Sequence, residues 1–233
     1  EEYAQRSQER ALAAWKRGAF QKSVLPVRDA HHIFLDHDEL IRENSSLEKL
    51  GEMPLAFAQL GMDPIALSRY PEITTIEHVH HVGTSPALAD GAALLLVGTE
   101  EGGQKEGIKP RAKILGMATA AVEPILMLTG NIPATEKSLA HAGLTMSEMH
   151  VVEVNESFAG VAVHYQRHFN IPDDKYNING GAIAMGHALG ATGAVLVNTA
   201  LDALEETDGR YGLISICGGA GVASAMVIER LPQ

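Results

Sequence analysis

The sequence is poor in cysteine, in basic residues and in long apolar runs. Cys217 is the only cysteine among 233 residues, which excludes an internal disulfide and favours a reducing, cytoplasmic setting. Lysine and arginine number 18 against 29 aspartate and glutamate, giving a formal net charge of −11. We therefore expect no nucleic-acid partner and no anionic-membrane surface. No apolar run is as long as a membrane span, so membrane insertion is not expected.

The remaining composition is that of an ordinary globular protein, with 45% hydrophobic and 20% charged residues. Residues 1–17 have the spacing of an amphipathic helix, which Gly18 ends. We predict extended chain over residues 73–82 and a buried helix over residues 92–98. Residues 100–110, rich in glycine and lysine, are predicted to break the chain at a domain boundary.

From residue 111 onward, strand-like and helix-like segments alternate. The predicted order is strand 112–122, helix 133–144, strand 150–154, helix 156–168, strand 176–179, helix 189–206, and strands 212–217 and 222–230. This βαβαβαββ order predicts an α/β fold with a mixed sheet and helices on its faces.

Three loops stand at the ends of predicted strands, where an α/β sheet usually builds its site. They are VNESFAG (154–160), NINGGAIAMGHALGATGA (177–194) and CGGAG (217–221). The second has the glycine spacing of a phosphate-binding loop, but it lacks the lysine and the hydroxyl residue that such a loop needs. A nucleotide triphosphatase is therefore excluded.

Each loop carries one side chain that suits catalysis. Asn155 can fix a water or an imidazole without titrating. His187 can donate a hydrogen bond to an oxyanion or carry a proton. The small residues after Cys217 can form an anion-binding nest, which is expected to lower the thiol pKa from its usual value of about 8.5. A structural role for each of these residues, above all an inert core cysteine, is the alternative.

A cluster of histidines, His78, His80 and His81, raises a different hypothesis, a metal site. His78 and His80 share one face of the extended segment, next to Glu77. Because no spacing here matches a known ligand set, we assign no metal ligands.

Taken together, the three loops resemble the thiolase family, the acyl-CoA acyltransferases that cleave or form 3-ketoacyl-CoA. VNESFA is similar to the family's NEAFA motif, the glycine-rich loop to N-x-GGA-I-A-x-GHPLGATGA, and CGGAG to C-x-G-x-G. The segments MLTGNIPAT (127–135) and SPALADGAALLL (85–96) resemble further parts of the family. The resemblance implies a thiolase-like fold over essentially the whole chain.

The resemblance also implies roles for four residues. Cys217 would be the acid/base thiol, and His187 would help to form the oxyanion hole and to activate the other thiol. Asn155 would hold the water that completes that hole, and Gly219 would offer its N–H to a second one. Coenzyme A thioesters would be the substrates, with no metal and no permanently bound cofactor.

Three positions depart from the family pattern. Ala188 stands where the GHP motif has proline, which we expect to loosen the hold on His187. Ser157 stands where NEAFA has alanine. A serine that contacts the pantetheine arm in the family aligns with Pro86, or with Ser85 if the register shifts by one. We therefore assign no CoA-contacting residue.

The resemblance divides the chain into three parts. Residues 1–84 resemble a remnant of the loop domain, residues 85–110 the last segment of the N-terminal domain, and residues 111–233 the C-terminal domain. A thiolase needs two cysteines, and its nucleophilic one lies in the family's N-terminal half. We expect this chain to be a piece of a longer protein or one half of a split one, inactive by itself.

The expected partners are the missing N-terminal half or a homologous subunit, in a homo- or hetero-oligomer. One alternative is a non-catalytic thiolase-like subunit that binds acyl-CoA or a partner protein. A second alternative is a ketoacyl-synthase relative, in which Cys217 would be the nucleophile.

Overall fold

The computed structural model describes residues 1–232. Its helices are α1 (Glu2–Lys16), α2 (Leu47–Gly51), α3 (Asp63–Arg69), α4 (Glu100–Glu106), α5 (Asn131–Ala142), α6 (Ala159–Phe169), α7 (Ala182–Met185) and α8 (Thr192–Glu206). Its strands are β1 (Val27–Arg28), β2 (Ile33–Leu35), β3 (Ala112–Ala121), β4 (Val151–Val154), β5 (Tyr211–Cys217) and β6 (Val222–Arg230).

The main sheet has four strands in the order β3-β6-β5-β4. β6 runs antiparallel to both β3 and β5, whereas β4 runs parallel to β5. This confirms the mixed sheet that the sequence predicts. The strand predicted over 176–179 is reduced to a single bridge between Val152 and Tyr176. The β1–β2 hairpin forms a separate small sheet.

The two faces of the sheet follow from the two-residue period of its strands. Val152, Leu213 and Val227 point to the face that α5 and α6 cover, and they belong to the largest core cluster. Ile214 and Ile228 point to the opposite face and pack with α8. Burying one such side chain contributes about 1.5–3 kcal/mol, so this layered core carries much of the stability.

The first helix confirms the prediction over residues 1–17. Its alanine side, including Ala4 and Ala11, is buried against α6 and α7. Gly180 permits this close approach, because a Cβ there would come within 2.5 Å of the Ser7 carbonyl oxygen and the residue has φ +75°. Helix α1 therefore packs directly on the glycine-rich loop that precedes α7.

Two local predictions before residue 111 are wrong, whereas the domain boundary at residues 100–110 stays a prediction. Residues 92–98 form no helix, and Leu94 is 87% exposed. Residues 100–106 are helical rather than a break, because Thr99 accepts a hydrogen bond from Gly102 N at the start of α4 and Gly107, with φ +67°, ends it. Residues 73–81 adopt no regular strand. Within the apolar run 92–97, Leu94, Leu96 and Val97 are mostly exposed.

Part of the sheet also remains uncovered. Helix α8 lies over β4 and β5 and leaves much of β3 and the start of β6 open on its face. On that open face Met117 is 55% exposed and Val222 is 53% exposed. Within residues 1–232, no helix combines the length and the apolar character needed to cross a membrane.

Candidate active site

The parallel pairing of β4 and β5 brings Asn155 close to Cys217. Asn155 N donates to the Ser215 carbonyl oxygen (2.9 Å), which extends the pairing one residue beyond β4. Asn155 is fully buried, and its Nδ2 donates to Ser157 Oγ (2.8 Å). Ser157 Oγ in turn lies 3.3 Å from Cys217 Sγ. An amide, a hydroxyl and a thiol are thus connected at the ends of two adjacent strands.

The Cys217 thiol is mostly buried but borders an open cavity of about 640 Å³. The ends of β3, β5 and β6 line this cavity, and Lys137 of α5 lies at its wall. Burial raises the pKa of the Cys217 thiol, and the Ser157 hydrogen bond opposes this shift. The expectation that the glycine turn lowers the thiol pKa is therefore wrong for this chain, because burial is the larger effect.

The glycine turn itself is tightly held. Gly218 N donates to the Val222 carbonyl oxygen (2.7 Å), so this N–H closes the turn and is not available to an anion. Gly221 has φ +85°, and a Cβ there would come within 2.5 Å of the Val122 carbonyl oxygen. Val122 N donates to Gly221 O (3.0 Å), which ties the turn to the end of β3. Gly219 is exposed in the middle of the turn, with open space around it.

His187 follows Gly186, whose φ of +89° ends α7 abruptly. His187 N donates to Ala87 O (2.8 Å), and its carbonyl oxygen accepts from Ala89 N (3.3 Å). The imidazole is half-buried, with Nδ1 2.7 Å from Thr192 Oγ1 at the start of α8. Burial lowers the pKa of His187, which favours the neutral ring. These contacts hold His187 without the proline that Ala188 replaces.

The structure brings together side chains from the first and third loops and leaves His187 of the second loop apart. Asn155, Ser157 and Cys217 form one hydrogen-bonded group. No hydrogen bond joins His187 to that group in the part of the chain that the structure describes. Thr192 at the start of α8 holds the ring instead, and residues 87–89 hold the His187 backbone.

Glu156 is a structural contributor that the sequence analysis did not single out. Its buried carboxylate accepts hydrogen bonds from Tyr3 Oη (2.9 Å), Ser7 Oγ (2.7 Å) and Ile183 N (2.9 Å). Burial raises the pKa of Glu156, and these hydrogen bonds oppose the shift. The carboxylate thereby fastens α1 and α7 to the loop that carries Asn155. The signal available in the sequence was an acidic residue two positions after the end of a buried strand.

His78, His80 and His81 contact different residues. His78 Nε2 lies 3.0 Å from Asp63 Oδ2, His80 packs on Phe158 at 5.3 Å between ring centroids, and His81 Nδ1 accepts from Gly83 N (3.1 Å). Among residues 1–232, no group of three or more potential ligands is arranged to hold a metal ion.

The fold and these loops define a mixed α/β protein with a thiol and polar side chains at neighbouring strand ends. Comparison with models of known protein families identifies the class. Residues 108–230 match the family described as thiolase, C-terminal domain, and residues 1–65 match the thiolase N-terminal domain.

Individual proteins that resemble this chain are named thiolases or acetyltransferases. The chain is 38% identical to 3-ketoacyl-CoA thiolase of Vibrio vulnificus (strain CMCP6), over 99% of this chain and 57% of that protein. It is 37% identical to β-ketoadipyl-CoA thiolase of Pseudomonas putida, over 98% of this chain and 54% of the relative. The crystal structure of the Bacillus anthracis acetyl-CoA acetyltransferase superposes with a TM-score of 0.86 at 28% identity, covering 99% of this chain and 55% of that one.

The chain therefore belongs to the thiolase family, as the loop motifs indicate. It spans a little over half the length of the relatives it matches.

Proposed function

We propose that this chain supplies the acid/base half of a thiolase-type acyl-CoA acyltransferase. The reaction is thiolytic cleavage of a 3-ketoacyl-CoA or the reverse Claisen condensation. The observation that carries the proposal is the Asn155–Ser157–Cys217 group at the ends of β4 and β5, in a chain of this family. Coenzyme A thioesters are the substrates, with no permanently bound cofactor.

In this proposal, Cys217 removes a proton from the attacking group and returns one to the leaving group. A thiol with a raised pKa holds its proton more firmly, so the thiolate needs local hydrogen-bond donors. Gly219, exposed in the turn after Cys217, offers its N–H to one oxyanion.

His187 and Asn155 form the other oxyanion hole, the one for the thioester carbonyl. A neutral imidazole can donate from Nε2 when Nδ1 is an acceptor, and Thr192 stands at Nδ1. Asn155 Oδ1 is buried and has no partner among the described residues, so it is free to bind the water that completes the hole.

The nucleophilic cysteine lies outside these 233 residues, because Cys217 is the chain's only cysteine and takes the acid/base role. Residues 1–84 act as part of the loop domain, 85–110 as the last segment of the N-terminal domain and 111–233 as the C-terminal domain. The open face of β3 and β6 and the exposed run 92–97 are where the preceding half packs. The assembly is an oligomer in a reducing, cytoplasmic setting.

A fusion tests the proposal directly. The preceding half of the Vibrio vulnificus relative is joined to this chain, and thiolysis of acetoacetyl-CoA is followed on addition of CoA. We expect turnover, and a loss of about 10²–10⁴-fold in Cys217→Ala, the usual range for removing a general acid/base group. Ser224→Ala, which alters an exposed serine of the same cavity, is the control and retains activity.

The second candidate is a non-catalytic thiolase-like subunit that binds acyl-CoA or a partner protein. The raised thiol pKa and the single cysteine favour it. A folded fusion that binds acyl-CoA equally well with and without Cys217, and turns over in neither form, would establish this candidate and refute the first.

A further inference from the structure

Ser157 lies between the buried amide of Asn155 and the thiol of Cys217. Its Oγ is 2.8 Å from Asn155 Nδ2 and 3.3 Å from Cys217 Sγ. The corresponding position of the NEAFA motif is alanine, so the family resemblance assigns this hydroxyl no function. The contact with Asn155 is local, but the contact with Cys217 does not follow from local sequence, since Ser157 and Cys217 are 60 residues apart.

The chemistry of the three groups fixes the direction of the hydrogen bonds. An amide nitrogen can only donate, so the Asn155 Nδ2 occupies a lone pair of Ser157 Oγ. When Cys217 is a thiolate, its sulfur has no proton and can only accept. The single proton of the Ser157 hydroxyl is then the donor to the sulfur, at a distance normal for a sulfur acceptor.

We propose that Ser157 is a positioning residue that orients the Cys217 sulfur and relays the hydrogen bond of the Asn155 amide to the thiolate. The hydrogen-bond relay stands on geometry alone, and only its meaning for acyl transfer rests on the proposed function. Ser157 does not touch the reacting carbon in this arrangement. It acts through Cys217.

The surroundings of the thiol show why such a donor matters. Cys217 is 6% exposed, and its neighbours Ala134, Ala223 and Ala225 are apolar. Burial disfavours the thiolate and raises the thiol pKa, whereas the Ser157 hydrogen bond lowers it. Ser157 therefore offsets part of the cost of ionising a buried sulfur.

One charged group also borders the site. Lys137 of α5 lines the same cavity and is the only charged side chain among its lining residues in the described structure. The other lining residues, from β3, β5, β6 and the turn, are uncharged. Lys137 is present in every variant proposed below, so its effect on the thiol pKa is the same in all of them.

The test uses the chain as it is, since its single cysteine makes any thiol reagent specific for Cys217. The rate of alkylation by iodoacetamide is measured against pH, and the inflection gives the thiol pKa. Thiolate absorbance, corrected with Cys217→Ala, provides a second measure. The variants are Ser157→Ala, Ser157→Gly and Ser157→Thr, with Ser224→Ala as the matched control, and circular dichroism verifies that each is folded.

Removal of the hydroxyl in Ser157→Ala or Ser157→Gly is expected to move the inflection up by about one pH unit, the typical effect of losing a hydrogen bond to a charged group. Ser157→Thr keeps a hydroxyl and should return the inflection toward the wild-type value, and Ser224→Ala should leave it in place. An unchanged inflection in the folded Ser157 deletions, or an equal shift in Ser224→Ala, would overturn the proposal.

This measurement needs neither acyl-CoA nor a second polypeptide. A shifted inflection together with an inactive fusion would refute the proposed acyl transfer and support the relay. An active fusion with an unchanged inflection would refute the relay alone.

Discussion

The imidazole of His187 and the hydroxyl of Thr192 are hydrogen-bonded, with 2.7 Å between Nδ1 and Oγ1. Thr192 begins α8, so the ring is held by the rigid end of a long helix rather than by the glycine loop alone. A hydroxyl that donates to Nδ1 leaves the proton of the neutral ring on Nε2. This tautomer is the one that an oxyanion hole requires.

Thr192→Val is the corresponding change, because valine keeps the shape and removes the hydroxyl. We expect His187 to be mainly the Nε2–H tautomer in the wild type and a mixture in Thr192→Val. Nitrogen-15 chemical shifts of the imidazole measure this. Thr207→Val, in which the lost hydroxyl contacts a helix carbonyl far along α8, is the control. Identical shifts in wild type and Thr192→Val would contradict the assigned orientation.

Gly186 sets the turn that presents His187. Its φ is +89°, and a Cβ would come within 2.7 Å of both Ala89 Cβ and Leu40 Cδ1. Gly186→Ala should therefore lower the free energy of unfolding by roughly 1–3 kcal/mol, the usual cost of such strain, and should displace His187. Urea unfolding and the His187 nitrogen shifts test both effects.

Gly190→Ala provides the matched control for this change. Gly190 lies in the same loop, but its φ is not in the left-handed region and a Cβ there meets nothing within 4 Å. The free energy of unfolding of Gly190→Ala should stay within about 0.5 kcal/mol of the wild-type value, as for ordinary surface substitutions. Equal losses in the two variants would contradict a special role of Gly186 in the loop.

The sheet after residue 111 was predictable because its pattern is local. The alternation at the start of β6 and the period of α5 and α8 are carried by neighbouring residues, so the order of apolar and polar residues indicates which face each side chain takes. The helix predicted over residues 92–98 from the same kind of local pattern was wrong. An apolar segment resembles a buried helix whether or not a surface exists to bury it, and here it is exposed.

The site was predictable in its residues but not in its contacts. Asn155, His187 and Cys217 stand in loops that motif spacing identifies. The groups that orient them are distant in sequence, as Tyr3 is from Glu156, at 153 residues. The thiol pKa was also misjudged, because sequence shows the glycine turn but not how deeply the strand end is buried.

Glu153 makes the stability of the chain depend on pH. It is fully buried on β4, and its Oε1 has no hydrogen-bond partner within residues 1–232. Burial raises its pKa well above the usual 4.5, and the nearby Glu156 adds to this, whereas Arg10 opposes it. A carboxyl whose pKa is raised on folding binds its proton more tightly in the folded state. Its contribution to stability is therefore complete below the unfolded pKa and is lost as pH rises toward the folded value.

The Glu153 contribution to wild-type stability should thus be lost as pH rises above the unfolded carboxyl pKa, and Glu153→Gln should remove this part of the pH dependence, about 1.4 kcal/mol for each unit by which folding raises the Glu153 pKa. Denaturant unfolding at several pH values measures the slope. Glu156, whose pKa burial also raises, accounts for a slope that remains. Glu106→Gln, at an exposed position of α4, should follow the wild type. Parallel curves for wild type and Glu153→Gln would refute the assignment.

The open face of β3 and β6 gives the last prediction, which concerns the proposed preceding half. Met117 is 55% exposed there, beside strands that α8 leaves uncovered. A methionine at the centre of a packed interface cannot be replaced by lysine without burying a charge. Met117→Lys should therefore weaken binding of the separately expressed preceding half by at least about tenfold, as loss of a buried anchor does.

Titration with the fluorescently labelled half measures this affinity. Leu25→Lys is the control, since Leu25 is even more exposed at 83% but lies on the segment before β1 and outside the main sheet. Its affinity should match that of the wild type. Binding that is insensitive to Met117→Lys, or equally sensitive to Leu25→Lys, would show that the preceding half docks elsewhere. The uncovered sheet face would then need a different occupant, because an apolar surface of this kind costs free energy for as long as it meets water.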